Sequence, residues 1–403
     1  MSMRTRLSDE SVRECESEAN AEVRNLRFKE DPKQEQRNSQ RAGRLIALDA
    51  ARGLAVIGMF IQHFALNKMN ASIVSGNTTL LFILCGGISY SIMARRMKEK
   101  GIETTTLRAR MLARAVFIDI IGYLLIMLNT PFGVILPAYA ALFVLALVLV
   151  HRSTRVLIIT AITLVVVSPP LMLLGESLLS HSDLLRDIGG GPMSGIALAP
   201  AFVTGMAIGR MNLTKSRPAF LLMCSGLIIF VICKLLAVFV LLDLNQSFEM
   251  WIVSLQGVVS AKPDPYLIWP FNVEPPRWHS LFLIAPHSAS TFQTLTGIGA
   301  AFFVLGLVCL IPKKISIVLM PFENVGRVAL TMYASQFVIL WGLQLAGIQQ
   351  YGLGGIPFGD LLVAITTLVI GGLITKLPVG PLEATMRHFD HLFSGSQSAK
   401  VKL

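Results

Sequence analysis

Residues 44–64 read RLIALDAARGLAVIGMFIQHF. The run is apolar and long enough to cross a bilayer, which takes about 20 residues, yet it carries Asp49, Arg52 and His63. An ionisable group in hydrocarbon costs about 2.5–3.5 kcal/mol on insertion scales, so each one needs a partner or a task. At about 100° per residue, Arg52 falls about 60° from Asp49, and His63 about 40° from it on the same side. The helix therefore carries one polar stripe. With a rise of about 1.5 Å per residue from Arg44, Asp49 and Arg52 are expected about 8–12 Å above the inner end and His63 about 28 Å above it. Such a stripe suits a route through the membrane.

The rest of the chain extends this picture. It has 403 residues, 53% of them hydrophobic and 15% charged, with mean hydropathy +0.64, which is too apolar for a soluble enzyme of this length. The net charge of +11 does not indicate a nucleic-acid binder, because the basic groups lie between apolar runs. Ten such runs qualify as spans: 45–66, 76–94, 107–128, 132–150, 156–174, 194–211, 219–243, 292–311, 324–347 and 360–376. After the first span, the segments on the N-terminal side of this topology hold 19 Lys/Arg, and those on the other side hold four: Lys68, Arg186, Lys262 and Arg277. That bias predicts an all-α polytopic protein of the inner (plasma) membrane, with about ten transmembrane helices and both termini cytosolic. Residues 1–43, rich in charge and without an apolar signal core, are expected to be a disordered cytosolic tail. Residues 44–376 form the membrane domain, with an outer loop at about 244–291 that holds three of the four tryptophans, and 377–403 form a second cytosolic tail. The five cysteines show no CxxC or His-Cys spacing, so no metal site is expected.

Further charged residues need an account. Asp49 and Arg52, three apart, either neutralise one another as a helix clamp or leave the Arg free for an anion. Asp119 and Lys234 lie at comparable depths in the third and seventh spans, about 18 and 21 Å in, and are expected to pair, a proton relay being the alternative. His63, with its near-neutral titration, is the best general-base candidate, and His287 at the entrance to the eighth span is a second site candidate on the same side. Arg327 is either a phosphate ligand or an anchor paired with Glu323.

The arrangement Arg44…Asp49-Ala-Ala-Arg52…His63 resembles the first-helix signature of the transmembrane acyltransferase superfamily, in its acyltransferase family 3 branch. There an Arg precedes Asp-x-x-Arg and a His follows the Asp by fourteen positions. The segment Ser75 to Gly87 resembles that superfamily's second-helix stretch. Pro286-His287-Ser288 with Gly297 and Gly299, the run Gly326-Arg327 to Gln336, and Gly380-Pro381-Leu382-Glu383 are similar to the C-terminal pattern of YeiB-like proteins, which tend to have Asn at the position of His63. These patches cover about a third of the chain, and residues 130–285 resemble nothing identifiable. The resemblance implies transfer of an acyl group, usually acetyl, from cytosolic acetyl-CoA or another acyl-CoA to a hydroxyl of an extracytoplasmic glycan or glycolipid. His63, Asp49 and His287 would then be catalytic, and Arg44, Arg52 and Arg327 would hold the phosphates of CoA. The competing expectations are a proton-coupled secondary transporter or lipid exporter, built on Asp119 and Lys234, and a noncatalytic partner of envelope enzymes.

Overall fold

The computed structural model describes residues 32–179, 183–256, 276–348, 352–377 and 379–392. The chain divides at Leu45: in the first unit only the helical backbone from Pro32 is described, and Ile46–Leu403 holds the core. The helix α1, Pro32–Phe64, thus begins inside the segment read as a tail. There follow α2 (Asn77–Glu99), α3 (Thr104–Ile126), α4 (Leu136–Leu149), α5 (Thr154–Leu178), α6 (Gly195–Ile208), α7 (Ser216–Leu236), α8 (Thr291–Leu310), α9 (Met320–Arg327), α10 (Ala329–Leu345), α11 (Gly359–Ile374) and α12 (Pro381–Leu392). No strand occurs among the described residues.

Each of the ten apolar runs contains a helix, but length and charge separate them. Five helical stretches are long and apolar enough to cross a membrane: Ile46–Phe64, Ala71–Glu99, Thr154–Leu178, Ser216–Leu255 and Thr291–Leu310. A sixth is added if the pair Ile315–Arg327 and Ala329–Leu345, bent by 65°, counts as one broken span. The helices α4 and α6 have 14 residues each and α11 has 16, or about 21–24 Å against a hydrocarbon core of about 30 Å. The third run, α3, is long enough but carries Arg108, Arg110, Arg114 and Asp119. Five or six qualifying helices stand where ten spans were expected.

A helix that is apolar all round belongs in a core or in lipid. The first case is α2, whose Ile83, Leu84, Ile88 and Tyr90 are fully buried beside Phe202 and Met206 of α6. The second suits α7, whose Leu221, Ile228, Ile232 and Leu235 are all exposed. Beyond Leu236 the chain makes a π turn, Ala237–Leu241, and continues as helix to Gln256. The connection expected from residue 244 therefore begins as helix, with Trp251 exposed on it, whereas Trp269 lies outside the described residues.

Candidate functional site

The charged face of α1 meets the broken pair α9 and α10. Gly53 and Gly326 let the two backbones touch: a Cβ on Gly326 would lie 1.7 Å from the Asp49 carbonyl oxygen, and one on Gly53 would lie 1.9 Å from that of Phe322. Only glycine allows this approach. It brings Arg52 into a three-sided cradle. Its Nη1 donates to Asp49 Oδ1 at 3.1 Å and to the Gly326 carbonyl at 3.4 Å, and its Nη2 donates to Ser89 Oγ on α2. Ser89 Oγ in turn donates to the Cys85 carbonyl at 2.8 Å. Asp49 is half-buried and also feels the charge of Arg327, which is itself exposed at the end of α9. Asp49, Arg52 and Arg327 therefore form one cluster, while the side chain of Arg44 lies outside the described residues.

The break between α9 and α10 exposes helix-terminal N–H groups that need acceptors. Glu383 supplies them from α12: its Oε1 accepts from the Leu330 and Thr331 N–H groups at 2.8 and 3.1 Å, and its Oε2 accepts from Thr331 Oγ1 at 2.5 Å. The Leu382 N–H closes the loop by donating to Thr331 Oγ1 at 3.1 Å. Two patches fifty residues apart in sequence thus form one joint. That joint fixes the bend carrying Gly326 and Arg327.

His63 lies 14 positions beyond Asp49, about 21 Å along the helix, so the carboxylate and the imidazole do not meet. The imidazole stacks on Phe132 with ring centroids 4.1 Å apart and meets the edge of Phe337 at 5.9 Å. The Gln336 side chain of α10 comes beside the ring without closing a well-formed hydrogen bond. Next to it, Gln62 Nε2 approaches His287 Nε2 at 2.8 Å, the amide donating to the ring nitrogen. Both histidines singled out from the sequence therefore belong to one cluster, joined through Gln62.

Polar satisfaction in this cluster is incomplete. Gln62 Oε1, His63 Nδ1 and both amide atoms of Gln336 are buried without a hydrogen-bond partner, although Gln336 is 0% exposed. An unmet buried polar group costs about 1–3 kcal/mol, and four at one place call for an explanation. Backbone strain coincides with them. His287 and Ala289 adopt φ of 60° and 50°, held by Ser288 Oγ and Ser290 Oγ, both of which donate to the Leu283 carbonyl. Burial pushes the His287 imidazole below its ordinary value of 6.5, favouring the neutral, hydrogen-bond-accepting ring.

No protein-family model and no curated protein matches the chain.

Two features differ from expectation. Asp119 does not pair with Lys234: it faces Asp187, to which Tyr123 Oη donates at 3.2 Å, in a small cavity of about 170 Å³. The Lys234 ammonium instead lies 5.6 Å from the centroid of the Phe230 ring. Nor is the stripe continuously polar. Rings run from Tyr139, an electrostatic neighbour of Arg52, to Phe82 at 5.9 Å, Tyr333 at 6.1 Å, Phe337 at 5.2 Å and His63 at 5.9 Å. Sequence reasoning passed over Gln62 and Gln336, although an amide within an apolar run is itself a signal. Ser89 and Phe132 carry no such signal, since only the tertiary fold brings them to the site.

Proposed function

We propose that the chain is a membrane-bound acyltransferase that moves an acyl group, usually acetyl in chemistry of this kind, from acyl-CoA to a hydroxyl of a glycan or glycolipid. The observation that carries this reading is the imidazole of His63, set among unmet amide groups at the end of α1, with Arg52 about 16 Å back along the same helix and Arg327 of α9 in the Asp49–Arg52 cluster. In this reading His63 takes the proton of the acceptor hydroxyl as its oxygen attacks the thioester carbonyl. The tetrahedral oxyanion accepts a hydrogen bond from the unmet Gln336 Nε2 amide. Collapse breaks the carbon–sulfur bond, and the imidazolium returns the proton to the departing thiolate. His287 holds Gln62 and faces the acceptor. Arg52, oriented by Asp49, and Arg327 attract the phosphates of the donor. The superfamily resemblance supports the same assignment, and the partition of 19 against four Lys/Arg favours ten crossings in the inner membrane with both termini cytosolic.

The test is purified protein in detergent with radiolabelled acetyl-CoA and a panel of glycolipids. Expected is acceptor-dependent release of CoA that His63→Ala abolishes and Arg52→Ala weakens through the KM for the donor. Wild-type turnover in His63→Ala would remove the histidine from the mechanism. Substrate movement in proteoliposomes without acyl-CoA would favour transport instead.

A further inference from the structure

On the opposite face of α2 from Arg52 lies a cavity of about 500 Å³ that the acyl-transfer reading does not use. Ser91, two residues past Ser89, opens onto it, as do Arg95 and Lys98 at the end of α2, Thr104 at the start of α3, His151 and Arg152 between α4 and α5, and Arg210 after α6. Among the described residues no carboxylate lines it. Arg210 is committed to the framework: its guanidinium donates to the carbonyls of Arg152 at 2.5 Å and Val150 at 2.9 Å, which fixes the loop that carries His151 and Arg152. Arg95 has a long contact of 3.9 Å with Glu99, and among the described residues no ion pair engages Lys98, Arg152 or Arg210. Like charges gathered around a concave wall repel one another, and a bound anion relieves this.

A second feature points the same way. The 23-residue helix α3 starts at the rim with Thr104, and no side chain caps its N-terminus. The nearest acid, Glu103, is exposed, and its carboxylate accepts from Thr105 Oγ1 at 3.2 Å. The first N–H groups of α3 and the positive end of its dipole are thus left for an external acceptor. Arginine forks, a lysine and helix N–H groups together match the oxygens of a phosphate. The volume exceeds what a bare inorganic ion needs and falls within the usual range for organic ligands.

We propose that this cavity is a binding site for a phosphate-bearing organic anion, either the headgroup of an anionic phospholipid or the phosphates of a soluble metabolite. The site is independent of acyl transfer, and its test does not measure turnover. Full-length protein in neutral detergent is titrated at constant ionic strength with short-chain phosphatidylglycerol, with inorganic pyrophosphate, and with phosphatidylcholine and sulfate as controls, following thermal stability and tryptophan fluorescence. Saturable binding of the phosphatidylglycerol, the pyrophosphate or both is expected, the probe that binds identifying the source. Arg95→Gln with Lys98→Gln should weaken it by about tenfold or more, while Arg95→Lys retains most of it. If the double variant is not monodisperse, Arg152→Gln replaces it with the same expectation. Equal binding of the controls, unchanged binding in the variants, or no saturable binding of either phosphate probe overturns the proposal.

Discussion

Glu383 offers a direct test of how the broken helix is held. Replacing it by alanine removes an acceptor that is 9% exposed and takes hydrogen bonds from Leu330 N, Thr331 N and Thr331 Oγ1. A hydrogen bond to a charged group contributes about 1.5–3 kcal/mol, and the three share one acceptor, so their loss is less than additive. A cost of about 3–4 kcal/mol is expected for Glu383→Ala. Glutamine keeps an oxygen for the two backbone groups, and its amide can donate to the Thr331 hydroxyl. Glu383→Gln therefore loses mainly the charge at the helix N-terminus, about 1–2 kcal/mol. Thermal unfolding in detergent at one scan rate should rank wild type above Gln and Gln above Ala. Thr331→Val should cost less in the Glu383→Ala background than in wild type, since one of its two contacts is then already gone and only the bond from the Leu382 N–H remains to be lost. An alanine variant as stable as wild type, or a glutamine variant as unstable as alanine, would refute the capping argument.

Other perturbations probe separate parts of the structure. Gly326→Ala places a Cβ 1.7 Å from a backbone oxygen that cannot withdraw, so the yield of monodisperse protein should collapse, whereas Gly342→Ala, with nothing within 4 Å, should leave the size-exclusion profile unchanged. The neutral His287 ring is favoured by folding, so its contribution to stability is present above the ordinary value of 6.5 and is lost as pH falls through the depressed folded value. The melting temperature of wild type should accordingly fall more steeply below pH 6.5 than that of His287→Gln, and parallel curves would contradict this. Asp119→Asn and Lys234→Met should act additively, within about 0.5 kcal/mol, because the two side chains have different neighbours, and strong coupling in a double-mutant cycle would restore the ion pair.

The fold was legible where hydrophobicity alone decides it. A backbone in a nonpolar medium must satisfy its own hydrogen bonds, so every long apolar run contains a helix. Helix length was less legible. The run from 132 to 150 is apolar throughout, yet Pro137 sits in the first turn of α4 and the helix spans only Leu136–Leu149. The break at Val328 was not legible either, because the run Gly326-Arg327-Val328 has no proline to announce it. What stabilises the break is a carboxylate from α12, and pairing over more than fifty residues leaves no local pattern.

The site divides along the same line. Charge within an apolar run is costly enough to be noticed, so Asp49, Arg52 and His63 stand out from the sequence as candidates for a site. Helical spacing then placed them on one face, but a shared face does not make a continuous polar path. Between Arg52 and His63 the face is met by Phe82, Tyr139, Tyr333 and Phe337, drawn from α2, α4 and α10, and these rings, three buried and that of Tyr139 partly so, leave polar groups chiefly at the two ends. This arrangement has a consequence for the proposed chemistry. A phosphate would have to shed its water to pass four rings, at a cost far above that of a slender, weakly polar chain. The phosphates of a donor would therefore stay beside Arg52 and Arg327, and only the thioester end would travel towards His63. In the proposed reaction the aromatic stretch would then be the element that separates the charged part of the donor from its reacting part.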